Sequence, residues 1–264
     1  MSCCKQFAGR TAVVTGAARG MGAALSLKYA ENGANVALLD MNEVGAKAVA
    51  AAIEKLGVRA LPLKADIADS KAAGVAMAKV ADAFGAVHIL ANCAGISTAG
   101  NLIDVEDDAW DRVMNVNLKA SWIMSKLAAK NMIANKVENG KIVSISSQAS
   151  KIGEAGNGVY SISKAGMNTM TQVLAQELAP HGISITAVAP GYVRTDMVVQ
   201  VFKERGPLMG MTPEAYEKTL TDSVPMGRMA TPGEIADLMI FLSSDQASYI
   251  TGVTITSAGG KTLI

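Results

Sequence analysis

The stretch TAVVTGAARGMG, residues Thr11 to Gly22, decides the fold. Thr11 to Thr15 is a short apolar and β-branched run of the kind that fills a buried parallel strand. Gly16, Gly20 and Gly22 follow in a G-x-x-x-G-x-G pattern, with Arg19 and Met21 between them, and the chain beyond reads as a helix. In a strand–turn–helix context each glycine has a separate task. Gly16 permits the tight turn, Gly20 lets the backbone approach a ligand, and Gly22 lets the helix pack against the strand. The unpaired N–H groups at the helix start then face a pyrophosphate with a favourable partial charge. A glycine turn alone is weak evidence; the flanking elements give it weight.

Working outward, a second strand at Ala34–Leu39 leads into Asp40. An acid there accepts hydrogen bonds from both ribose hydroxyls of NAD and repels a 2′-phosphate. The competing reading is a cap for the helix beginning near Asn42. Arg19 argues the other way, because a basic residue in the turn can meet a 2′-phosphate. Asp40 is expected to dominate, so the expected cofactor is NAD(H), with NADP disfavoured. Asp66 and Ile67 follow a third strand at Ala60–Leu63, whose Pro62 suits an edge. Asp66 is a candidate for the adenine amino group or simply a turn residue. Asn92, Ala94 and Gly95 end a fourth strand at Val87–Ala91. The small residues there let the backbone pass along the adenosine, and Asn92 is also suited to pinning neighbouring strands.

Further strands are expected at Lys141–Ser146, Ile183–Val188 and Val253–Thr256. Helices are expected near 21–32, 43–56, 70–84, 107–135, 158–179 and 232–243. Alternation of this kind predicts one α/β domain over 1–264, a Rossmann-type, doubly wound, parallel seven-stranded sheet with helices on both faces. The segment at about 194–229 carries Gly206, Pro207, Gly210, Pro213 and Pro225, and is expected to be a substrate lid. Met197, Phe202, Met209 and Met211 would line an adaptable pocket there.

The bulk composition narrows the classes. A net charge of +1 without a clustered basic face argues against a nucleic-acid partner. No apolar run is long enough to cross a bilayer. Met1 to Arg10 has no apolar export segment, and the three cysteines form no disulfide framework, so a reducing cytoplasm is expected. His88 and His181 lack metal-ligand spacing, and no metal is expected.

A second constellation carries the chemistry. Tyr160 and Lys164 are four residues apart in a helical segment, so they share a face. An ammonium beside a phenol favours the phenolate, which brings proton exchange towards neutral pH. Ser147, thirteen residues before Tyr160 at a strand end, is placed to hold the oxygen on which charge develops. Gln148 and Glu154 could bind a second hydroxyl of a small polar substrate, or could merely cap backbone and face solvent.

Taken together, Thr15-Gly16-x-x-x-Gly20-x-Gly22, Asn92-x-Ala94-Gly95, Asn115 to Leu118, Ser147, Tyr160-x-x-x-Lys164, and Pro190-Gly191 with Thr195 resemble the short-chain dehydrogenase/reductase family over nearly the whole chain. The resemblance implies a catalytic tetrad of Asn117, Ser147, Tyr160 and Lys164. Asn117 would hold a water linking Lys164 to a proton relay, and Lys164 would also bind the nicotinamide ribose. Pro190, Gly191, Val193 and Thr195 would face the nicotinamide and its phosphates. A homotetramer is implied, with helices near 107–135 and 158–179 at one interface. Two positions depart from the family pattern: Cys93, usually asparagine, and Ser257-Ala258-Gly259-Gly260, usually Val-Asp-Gly-Gly.

The stretch from Ser147 to Tyr160 and the lid are most similar to polyol dehydrogenases and acetoin (diacetyl) reductases. That implies a small alcohol or ketone substrate contacted by Ser147, Gln148, Glu154 and Tyr160. The competing substrate classes are 3-oxoacyl thioesters and hydroxysteroids. A non-catalytic dinucleotide-binding sensor is the competing function, and retention of the Tyr160–Lys164 pair argues against it.

Overall fold

The computed structural model describes residues 5–263. Seven parallel strands form one sheet in the order β3-β2-β1-β4-β5-β6-β7. They are β1 (Thr11–Thr15), β2 (Asn35–Asp40), β3 (Ala60–Lys64), β4 (Ile89–Asn92), β5 (Gly140–Ile145), β6 (Ile183–Pro190) and β7 (Thr254–Ser257). The doubly wound sheet expected from the alternation is therefore present. The chain winds outward from β1 to β3, then returns to lay β4 on the other side of β1. Strand order reverses between β1 and β4, which opens a crevice beyond their carboxyl ends. Pro62 lies in edge strand β3, opposite Leu38, so its missing N–H interrupts no interior ladder.

Alternate residues of each strand face opposite layers. On one face Ala12, Val14, Val36 and Leu38 pack with α1 (Gly20–Glu31), α2 (Glu43–Glu54) and, further along the sheet, α9 (Pro232–Leu242). On the other face Val13, Ala37, Leu90 and Ile142 pack with α3 (Ser70–Phe84), α5 (Ala120–Ala134) and the end of α6 (Gly158–Leu178). The interior strands β1, β2, β4, β5 and β6 are buried on both sides, which is why they read as apolar runs.

The helix expected over 107–135 is interrupted. α4 (Asp107–Met114) passes into a π-helical stretch at Asn115–Lys119 before α5 begins. Ala120 donates its N–H to the Asn115 carbonyl, five residues back, and this wide turn carries Asn117. The segment at 194–229 is also more ordered than its glycines and prolines suggest. It contains α7 (Asp196–Leu208) and α8 (Pro213–Asp222). Pro207 sits in the last turn of α7, while Pro213 opens α8 behind a Thr212 cap. Both therefore end or start helices, as proline tolerates. Among the described residues no helix is long and apolar enough to cross a membrane.

Candidate active site

The glycine turn closes tightly on the end of β4. A side chain on Gly16 would put its Cβ 2.8 Å from the Ala94 Cα, and one on Gly22 would stand 2.2 Å from the Gly16 carbonyl oxygen. Gly16 and Gly20 also have φ of +64° and +58°, a region side chains disfavour. The Thr15 hydroxyl accepts the N–H groups of Cys93 at 3.1 Å and Ala94 at 3.2 Å, fixing this contact. Arg19, the cap position of α1, makes no side-chain capping bond, so the first amides of α1 lack that partner. They open, with Met21, into a cavity of about 340 Å³ at the switch point. Close-approach glycines, uncapped amides and a carboxylate at the end of β2 fit a dinucleotide.

Asp40 lines that cavity and is half-buried. Its carboxylate accepts from the Ala18 N–H at 2.9 Å and the Asn42 N–H at 2.8 Å. Asn42 itself caps α2 through the Gly45 N–H, so the capping alternative for Asp40 gives way. Asp66 is exposed, Ile67 is buried, and both line the cavity with Ala94 and Gly95. Asp66 accepts from the Ala68 N–H at 3.0 Å.

Asn92 is placed differently from the cofactor contact expected of it. It is buried within the sheet, donating to Ser125 at 3.1 Å and Ser144 at 3.2 Å, and so ties β4 to α5 and β5. The Val193 side chain is in the apolar core, and its backbone pairs with Ala230. Pro190 ends β6, and the Gly191 N–H donates to the Ser257 carbonyl at 3.0 Å. A Cβ on Gly191 would lie 2.9 Å from the Ala258 Cα, so the C-terminal segment that departs from the family pattern packs directly on this glycine. Thr195 caps α7 through the Val198 N–H, and its methyl lies 3.6 Å from a Cβ placed on Gly20. Arg19 reaches Asp196 of α7 at 3.8 Å.

At the inner end of the crevice Lys164 and Tyr160 stand one turn apart on α6, as their spacing predicts. The Lys164 ammonium donates to the Ile145 carbonyl at 2.6 Å and lies 5.7 Å from the centroid of the Tyr160 ring. It also lies 3.6 Å from a Cβ placed on Gly95, where the Asn117 Oδ1 stands at 3.4 Å. Lys164 and Asn117 thus converge on a glycine of the cavity wall. Burial lowers Lys164 to about 8, partly offset by the nearby Cys93 thiol. Tyr160 runs against the expectation of an acidified phenol. Burial raises it first, the Glu154 carboxylate raises it further, and only Ser147 works in the opposite direction. The physical reason is that both groups lose water together, and the ammonium points at a carbonyl rather than at the phenol oxygen.

Ser147 leaves β5 and heads a short 3-10 turn, accepting from the Ala149 N–H at 3.1 Å. The turn is bound to α6 by Asn168, which accepts from Ser146 at 2.7 Å and donates to Ser150 at 2.8 Å. Asn117 is fully buried. Its Oδ1 accepts from the Ile96 N–H at 2.8 Å, and its Nδ2 donates to the Ile96 carbonyl at 2.9 Å and to Ser163 at 3.0 Å. Its amide is thus engaged by protein, and the water expected of it would need a site other than these amide atoms.

Gln148 lies close beside Gly191. It is buried, accepts from Thr262 at 3.2 Å, and hydrogen-bonds the Tyr192 phenol, so its amide is engaged by protein. Tyr192 is a residue the sequence reading missed; its only signal was its place directly after Gly191. Burial, followed by the Glu154 charge, pushes it up to about 12. Glu154 therefore bears on both phenols, and it accepts from Asn157 at 3.3 Å. From α7, Arg205 reaches back to the Ala155 carbonyl at 3.5 Å. Of the four apolar lid residues, Met197 lines the dinucleotide cavity and Phe202 is buried against Tyr216. Met209 and Met211 are exposed instead of lining a pocket.

Comparison with known proteins matches this geometry. The family model described as Enoyl-(Acyl carrier protein) reductase matches residues 16–262. The chain is 34% identical over 259 residues to Oxidoreductase UcpA of Salmonella typhimurium, covering 98% of this chain and 96% of that protein. It is 34% identical over 252 residues to 3-oxoacyl-[acyl-carrier-protein] reductase FabG of Thermotoga maritima, covering 96% and 97%. A solved short-chain type dehydrogenase/reductase from Mycobacterium marinum superposes with a TM-score of 0.89 at 29% identity, covering 99% of this chain and 98% of that one.

Proposed function

Since the chain belongs to the short-chain dehydrogenase/reductase family, we propose that it interconverts a secondary alcohol and a ketone with NAD(H) as cofactor. The observation that carries this reading is the convergence of Tyr160, Lys164 and Ser147 at the inner end of a glycine-lined crevice. A nicotinamide bound there supplies the hydride acceptor or donor. Tyr160 is the proton donor and acceptor at its phenol oxygen. Ser147 holds the substrate oxygen, and its bond to the ionised phenol favours proton release. Lys164 binds the nicotinamide ribose and contributes positive charge beside the phenol. Asn117 acts by clamping Ile96 to α6, which fixes the wall against which Lys164 lies.

Asp40 is the reason to favour NAD over NADP. Its carboxylate is fixed by two backbone amides at the end of β2, where a 2′-phosphate would meet a like charge. The remaining cofactor contacts proposed are Gly16, Gly20, Met21 and Gly22 for the pyrophosphate, Asp66, Ile67, Ala94 and Gly95 for the adenosine, and Pro190, Gly191 and Thr195 towards the nicotinamide.

For the substrate we favour a small polyol or hydroxyketone. The Glu154 carboxylate acts on both the Tyr160 and the Tyr192 phenols, a polar setting suited to a second hydroxyl and unsuited to a long apolar chain. A 3-oxoacyl thioester is the second reading, favoured by the activity named for the Thermotoga maritima relative. A screen for NAD- and NADP-linked turnover of vicinal diols, hydroxyketones, hydroxysteroids and 3-oxoacyl thioesters separates them. Turnover confined to thioesters would overturn the small-substrate assignment, and turnover of none would favour the sensor. A homotetramer in a reducing cytoplasm completes the proposal; Trp110, Trp122 and Val173, exposed on α4, α5 and α6, supply an apolar face for that assembly.

A further inference from the structure

Arg19 is the basic side chain on the wall of the dinucleotide cavity, and three acids, Asp40, Asp66 and Asp196, share that wall. Arg19 is therefore the group a 2′-phosphate would need. It is already paired: its guanidinium lies 3.8 Å from the Asp196 carboxylate. The pair joins two helix beginnings across the mouth of the crevice. Arg19 precedes the first turn of α1, and Asp196 opens α7 immediately after Thr195, whose methyl packs beside Gly20. The α7 N-terminus favours a carboxylate at that position, beside its partner.

We infer that Asp196 is a second cofactor-selectivity residue, acting with Asp40 by neutralising Arg19 and repelling a ribose 2′-phosphate from the lid side. This inference rests on the NAD reading above and adds a residue to it. Its reach is modest, because both side chains are mostly exposed, at 71% and 76%. Exposed pairs of this kind are worth enough to change a binding ratio by roughly three- to fivefold. It carries a further consequence: removing Asp40 alone leaves Arg19 paired, so full acceptance of a 2′-phosphate requires loss of both acids.

The test uses two nucleotide fragments that cannot react, ADP-ribose and its 2′-phosphorylated form, titrated calorimetrically into the purified protein. Asp196→Asn is expected to tighten the 2′-phosphorylated fragment roughly three- to fivefold while ADP-ribose changes less than twofold. Arg19→Gln in the same chain should cancel the gain, and 0.5 M salt should shrink it. Melting temperatures of the variants establish that they fold. An Asp196→Asn protein that folds and binds both fragments in the wild-type ratio overturns the inference. So does a gain that persists in Arg19→Gln/Asp196→Asn. The NAD reading fails separately, if the wild-type protein prefers the 2′-phosphorylated fragment; the effect of Asp196→Asn on the ratio is still decisive for Asp196 in that case.

Discussion

Lys164 holds the Ile145 carbonyl at 2.6 Å while standing 5.7 Å from the ring of Tyr160, one turn earlier on the same helix. The ammonium is thus anchored to β5, and β5 ends two residues before Ser147. That bond, with those of Asn168 to Ser146 and Ser150, holds together the three groups proposed for proton transfer.

Tyr160→Phe removes the proton donor and keeps the ring. Turnover should fall by about 10²–10⁴. Affinity for ADP-ribose, measured by calorimetry, should stay within about twofold of wild type. Wild-type turnover in this variant would remove the phenol from the mechanism.

Glu154→Gln should act through charge alone. The Glu154 carboxylate raises the Tyr160 phenol, so its removal lowers the pH at which the phenol loses its proton. The pH profile of kcat/KM for alcohol oxidation should shift its rising limb to lower pH. An unchanged limb would detach Glu154 from Tyr160.

Gly22→Ala places a methyl 2.2 Å from the Gly16 carbonyl, where only backbone movement makes room. Overpacking of this kind costs about 1–3 kcal/mol. The melting temperature should drop by several degrees, and ADP-ribose binding should weaken at least tenfold because the turn that holds the pyrophosphate is displaced. Gly74→Ala, with open space at its Cβ inside α3, serves as the control and should be neutral or slightly stabilising.

Lys164 gives stability a pH signature. Burial lowers it from the ordinary 10.5 to about 8 in the folded chain. Between these values the unfolded chain carries the extra proton, so the folded state gains stability as pH rises. Cys93, raised from 9.0 to about 12, works in the opposite direction over the higher part of the range. The comparison is therefore made against Lys164→Met, by urea unfolding at pH 7.5 and 9.5. Relative to that variant the wild type should gain roughly 1–2 kcal/mol. Parallel pH dependences in the two proteins would show that Lys164 keeps an ordinary value.

Much of the site was readable because its signals are local. The Gly16–Gly22 turn, Asp40 at a strand end and the Tyr160–Lys164 spacing each depend on a few neighbouring residues and on strand or helix periodicity. The π-helical turn at Asn115–Lys119 was not readable, since no local pattern marks the extra residue per turn, which accompanies the bonds of Asn117 to Ile96 and Ser163. Helices α7 and α8 were obscured by Gly206, Pro207 and Pro213, which punctuate them without breaking their interiors. Asn92 and Gln148 carry side chains equally able to meet ligand or protein, and their partners Ser125, Ser144 and Thr262 are distant in sequence.

The sequence by itself determined the layered α/β sheet, the place of the dinucleotide turn and the pairing of Tyr160 with Lys164, because periodicity and close spacing constrain which faces residues share. Only the tertiary structure decided the direction of the proton affinities. Tyr160 is raised and Lys164 lowered because both lose water inside the same crevice. It also decided that the Glu154 charge acts on both Tyr160 and Tyr192, and that Asp196 meets Arg19. Desolvation and charge pairing are set by which distant segments meet, and no local pattern records that.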